Sequence, residues 1–176
     1  MPRTKSSEDA RGLKVVKVRL VKEEGLAMGK SVKSPDDAIA VMAEELADMD
    51  REMFCVLNLK TNGTVINMNV VSMGSLSATH ASPREIFKSS ILSNAASIVL
   101  LHNHPSGNPV PSADDYDLTK RLCESGKILG IPVLDHIVIS GQGIMDNYSM
   151  LSHDELGKSY SELLADGKIK KGGEAR

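Results

Sequence analysis

In "VLLHNHPSGNPVPSADD", residues 99–115, two histidines stand one residue apart at the end of an apolar run, and a serine and two aspartates close the segment. Side chains alternate along an extended strand, so His102 and His104 point to the same side. Pro105, Gly107, Pro109 and Pro111 make a stiff turning loop, and Ser112 then opens a helix whose first turn holds Asp114 and Asp115. A carboxylate is thereby carried back toward the imidazoles. Two neutral ring nitrogens and one carboxylate oxygen suit Zn²⁺, and three protein ligands leave the fourth tetrahedral position for water, as in catalytic zinc sites. Consecutive helix residues point about 100° apart, so only one of the two aspartates serves as ligand and the other is a spare acid. Each residue also has an ordinary role. Histidines are common at strand ends, Ser112 is a good N-cap, and both aspartates complement a helix N-terminus.

These residues need a strand, a loop and a helix to position them, and the surrounding pattern supplies all three. "ASIVLLH" (96–102) reads as a strand buried on both faces, and the segment from Ser112 to about Leu129 reads as a helix stopped by Gly130. "IPVLDHIVIS" (131–140) is a second buried strand; "GQG" then turns the chain, and "IMDNYSM" (144–150) carries a short strand before a helix at 153–165. Upstream, "LKVVKVRLV" (13–21) alternates as a half-buried strand. Ser34, Pro35 and two aspartates start a helix, while "MFCVLNL" (53–59) and "TVINMNVVSM" (64–73) flank the hairpin signal Asn62-Gly63. Ser82, Pro83 and Glu85 spell a capping box for a helix running to about Asn94. Strands alternating with helices around an internal hairpin imply an α/β chain with a mixed sheet and helices on its faces.

Glu52, the His102-x-His104 pair, Ser112 and Asp115 together resemble the JAMM (MPN-plus, or JAB) metalloprotease signature. "DREMFCVLNL", "SPREIFKSSILSNAASIVLLHNHPSG", "PSADD" and "GIPVLDHIVI" resemble the RadC-like branch of that family, over roughly residues 30–150. The resemblance implies a three-layer α-β-α fold shared with cytidine deaminases, and one zinc held by His102, His104 and Asp115. It also implies that Glu52 is the general acid-base and that Ser112 steadies the oxyanion or the water. The preference for Asp115 over Asp114, and for Glu52 over Asp50, comes from the resemblance. Two positions depart from the common pattern: Asn103 stands where proteolytic members carry Ser or Thr, and Ser82 stands where many RadC relatives have His. The expected organisation is a flexible N-terminus (1–12), one RadC-like JAB/MPN domain (13–166) and a flexible basic tail (167–176).

Composition narrows the function. With 21 basic and 23 acidic residues there is no broad field of one sign, and three Tyr, two Phe and no Trp provide little surface for base stacking, so no strong nucleic-acid signature is present. No apolar run approaches a membrane span, no apolar leader opens the chain, and Cys55 and Cys123 stand far apart in apolar contexts. A cytoplasmic protein with buried, unpaired thiols is expected. His136, inside an apolar strand, reads as a hydrogen-bonded core histidine, whereas His80 and His153 read as surface residues. Base deamination requires H-x-E and P-C-x-x-C patterns that are missing. The leading expectation is a zinc-dependent hydrolase acting on a peptide or isopeptide amide of a peptide or protein substrate. The alternative is a DNA-repair-associated or partner-binding module with a structural or vestigial metal site, its basic face drawn from Arg3, Lys5, Arg11, Lys14, Lys17 and Arg19. A homo-oligomer is compatible with either.

Overall fold

The computed structural model describes residues 20, 30–47, 49–74, 82–140 and 146–169. Ser34 begins the first helix as its residue type dictates: its hydroxyl accepts from the Asp37 amide at 3.2 Å, and Asp37 Oδ2 accepts from the Ser34 amide at 3.0 Å. Helix α1 then spans Pro35–Ala47. Strands β1 (Met53–Leu59) and β2 (Val65–Met73) form the expected antiparallel hairpin. Its turn needs a glycine, because Gly63 sits at φ 80° and a Cβ there would lie 2.5 Å from the Val32 carbonyl oxygen. Helix α2 (Pro83–Leu92), strand β3 (Ser97–His104), helix α3 (Ala113–Leu129), strands β4 (Val133–Ser140) and β5 (Asn147–Ser149) and helix α4 (Tyr160–Ala165) follow.

The strands form one mixed sheet in the order β2-β1-β3-β4-β5. Strand β1 is antiparallel to both neighbours, β3 and β4 run parallel across the α3 crossover, and β5 returns antiparallel. Alternation along the strands then divides the core. On one face Cys55, Leu57, Val99, Leu101, Ile137 and Ile139 pack under Ile39, Met42 and Leu46 of α1. On the other, Phe54, Val56, Ile98 and Leu100 pack under Ile86 and Phe87 of α2 and Leu118 and Leu122 of α3. The result is the three-layer α-β-α arrangement. Each fully buried Leu, Ile or Phe contributes about 1.5–3 kcal/mol by leaving water, so both faces must be covered for the sheet to persist.

Three local expectations change. Ser82 makes no side-chain cap on α2: the Glu85 amide donates to the Ser82 carbonyl at 3.0 Å, and the Glu85 carboxylate pairs with Lys88. The C-terminal helix starts at Tyr160 rather than at 153, since Asp154 (φ 56°) and Gly157 (φ 78°) take left-handed conformations that a helix excludes, and Ser159 supplies the cap. Ile169, in the segment expected to be a free tail, is buried beside Tyr116, Met150 and Leu163. The strand expected over 13–21 lies outside the described residues apart from Leu20, as do the GQG turn and residues 1–12. Among the described residues no helix is long and apolar enough to cross a membrane.

Candidate metal centre

Strand β3 carries the histidines out of the core at its C-terminal end. His102 shares strand parity with Leu100, so both histidines emerge on the face covered by α3, whose first turn lies within reach of them. There the His102 and His104 Nε2 atoms stand 3.0 Å apart, and Asp115 Oδ1 is 3.4 Å from His102 Nε2 while Oδ2 is 3.7 Å from His104 Nε2. One donor atom from each of the three residues lies within 4.8 Å of the others, and this group can hold a metal ion. Asp115 is buried and Asp114 exposed, as helical rotation requires.

Each donor is held by its unused side. His104 Nδ1 lies 2.8 Å from the Asn108 carbonyl; a carbonyl only accepts, so Nδ1 donates there and Nε2 is the nitrogen turned toward the site. Asp115 Oδ2 accepts from both the Ser112 amide (2.7 Å) and the Ser112 hydroxyl (2.6 Å), which closes a capping box with the aspartate at its third helical position. The helix cap and the site are therefore one structure. His102 Nδ1 lies 2.8 Å from Nε2 of His136, which is fully buried, as expected for a core histidine.

The electrostatics follow from burial and mutual charge. Burial pushes His102 down to about 4 and His136 to about 3, so both rings are neutral in ordinary buffer. Burial also opposes charge on His104, yet the hydrogen bonds its ring N–H groups donate to Asp115 and to the Asn108 carbonyl raise it above the ordinary value. Asp115 would be raised by burial alone, but the hydrogen bonds it accepts from His104 and Ser112 hold its carboxyl well below the usual range. A carboxylate ionised at all working pH values and two imidazoles with Nε2 turned inward fit a borderline-soft divalent cation.

Glu52 is half-buried at the mouth and lines the same pocket as His102, His104, Ser106, Ser112 and Asp115. Antiparallel pairing brings it there: Phe54 pairs with His102, so the start of β1 lies beside the end of β3. Asp50 is exposed and paired with Arg51. Two contributors were given no role in the sequence reading. Ser106 sits on the loop rim. Asn103, fully buried between the two histidines, accepts from the Met53 amide through Oδ1 (2.7 Å) and donates through Nδ2 to the Arg51 carbonyl (3.1 Å), gripping the backbone on both sides of Glu52. Its position between the histidines, with opposite strand parity, was the local signal for this role. His153 is exposed and stacks on Tyr148 at 4.0 Å, and His80 lies outside the described residues. Cys55 and Cys123 are both free thiols, Cys55 buried and Cys123 half-buried.

An α-β-α sandwich with a His-x-His strand end facing an aspartate on the next helix defines a JAB-type domain. The chain belongs to the RadC-like JAB domain family, whose profile matches residues 32–156. It is 48% identical over 115 residues to a UPF0758 protein of Caldanaerobacter subterraneus subsp. tengcongensis, covering 65% of this chain and 49% of that one. A UPF0758 protein of Desulforamulus reducens is 48% identical over 108 residues (61% of this chain, 48% of that one), and one of Bacillus mycoides is 48% identical over 109 residues (62% and 48%). The chain thus spans about half the length of the curated relatives it matches.

Proposed function

We propose that this domain is a zinc-dependent hydrolase that cleaves an amide bond in a peptide or isopeptide, acting on a protein or peptide substrate in the cytoplasm. The observation that carries the reading is the convergence of His102, His104 and Asp115 on one point in a pocket that Glu52 also lines. Zn²⁺ held by these three residues would supply Lewis acidity toward a carbonyl and lower the pKa of water to about 7. Glu52 would take a proton from the attacking water and return it to the leaving nitrogen, both within one open pocket. Ser112 would hold Asp115 through its amide and turn its hydroxyl toward the developing oxyanion. No covalent intermediate with the chain is needed.

The test is metal analysis of protein purified without added zinc, coupled to a chelator-sensitive screen against peptide and isopeptide substrates. About one zinc per chain is expected, and the His102→Ala, His104→Ala double variant should lose most of it. Full zinc occupancy in that variant would displace the site. Stoichiometric zinc with no amide turnover would favour the partner-binding module instead.

A further inference from the structure

We infer that Thr119 and His136 are positioning residues that fix the tautomer of His102, so that its Nε2 presents a lone pair to the metal; the inference rests on the zinc reading of the site. The four groups involved form a chain with one consistent order of protons. At its end, Thr119 Oγ1 lies 2.6 Å from the backbone carbonyl of Asp115, which can only accept, so the single hydroxyl proton is committed there. His136 Nδ1 faces the same hydroxyl oxygen and must therefore donate to it. A fully buried imidazole is neutral, which leaves His136 Nε2 as an acceptor. That acceptor meets His102 Nδ1 at 2.8 Å, so His102 carries its proton on Nδ1 and its Nε2 is bare, accepting from His104 Nε2–H at 3.0 Å when no metal is bound.

The opposite order fails at the first link. If His102 kept its proton on Nε2, its Nδ1 would need a donor from His136 Nε2, and His136 Nδ1 would then need a proton from a hydroxyl already committed to a carbonyl. One buried group would be left without a partner, at a cost of about 1–3 kcal/mol. Thr119 and His136 are themselves fully buried and His102 nearly so, so water has little access with which to rearrange the chain. The chain also starts from the main chain of Asp115, so the helix turn that delivers the carboxylate also orients the imidazole opposite it.

Histidine tautomers are read directly from two-bond ¹H–¹⁵N correlations of ¹⁵N-histidine protein with the metal removed. Wild-type His102 should show the Nδ1–H form. Thr119→Val keeps the side-chain shape and removes the hydroxyl; His102 should then populate both tautomers, and zinc affinity should fall about 10- to 100-fold. Thr119→Ser, which keeps the hydroxyl, should restore both. An Nε2–H tautomer in wild type overturns the inference without any variant, and so does an unchanged Nδ1–H tautomer in Thr119→Val. If wild type binds no zinc while the tautomer responds as described, the zinc reading fails and the proton order stands.

Discussion

A carboxamide at position 52 would keep the shape of the glutamate and remove its basicity. Glu52→Gln should retain zinc and thermal midpoint while turnover falls by about 10²–10⁴, equivalent to about 3–5 kcal/mol of transition-state stabilisation. Metal content, midpoint and turnover measured together decide it. Intact zinc with unchanged turnover would take Glu52 out of the reaction, and lost zinc would make it a ligand. The two histidines were legible in the sequence because strand alternation is local. So was the choice between the aspartates, in part: helical rotation says that one of them turns away, but only the packed structure shows Asp115 buried and Asp114 exposed. Glu52 was not legible from its neighbours. Its place depends on the pairing of Phe54 with His102, a contact between strands far apart in sequence, and "DMDRE" offers several acids with no local difference between them.

The elements do the positioning, and the contact that ties them most directly is the Asn103 carboxamide. It bridges the Arg51 carbonyl and the Met53 amide where β1 begins, and so holds Glu52 against the end of β3. Asn103→Ala would leave the Met53 amide without that acceptor in a buried position, at about 1–3 kcal/mol of stability. His102, His104 and Asp115 stay on their own elements, so zinc stoichiometry should persist while turnover drops along with the midpoint. Loss of zinc together with the midpoint would show that the bridge supports the ligand end of β3 instead. At this scale the sequence was read well where caps and alternation act alone, as at α1, β1 and α3. It failed at α2, where the Glu85 amide meets the Ser82 carbonyl rather than its hydroxyl, and where backbone at positive φ interrupts an otherwise helical pattern before α4.

Over the whole molecule the two faces of the sheet have different duties, and the thiol of Cys55 marks the closed one. It lies under α1, fully buried among aliphatic side chains, and burial pushes it from 9.0 up to about 12. Between those two values the folded chain holds a proton that the unfolded chain has released. Stability therefore falls as pH rises: the Cys55 contribution is complete below the unfolded value and is lost progressively up to the folded one, at a slope of at most about 1.4 kcal/mol per pH unit. Tyr148, pushed up to about 12 chiefly by burial, and Tyr116, raised in the same way, add to the decline on the opposite side of the sheet. Cys55→Ala removes one titrating group and leaves the tyrosines, so its stability curve should decline less steeply than that of wild type. The small cavity lowers the whole curve by about 1 kcal/mol but does not change its slope. Urea unfolding of both proteins from about pH 8 to about pH 10.5 separates the two effects, because the offset is read at the lower end and the slope across the range. Parallel curves would mean that the Cys55 proton leaves as easily in the folded chain as in the unfolded one, and that water reaches the layer between α1 and the sheet.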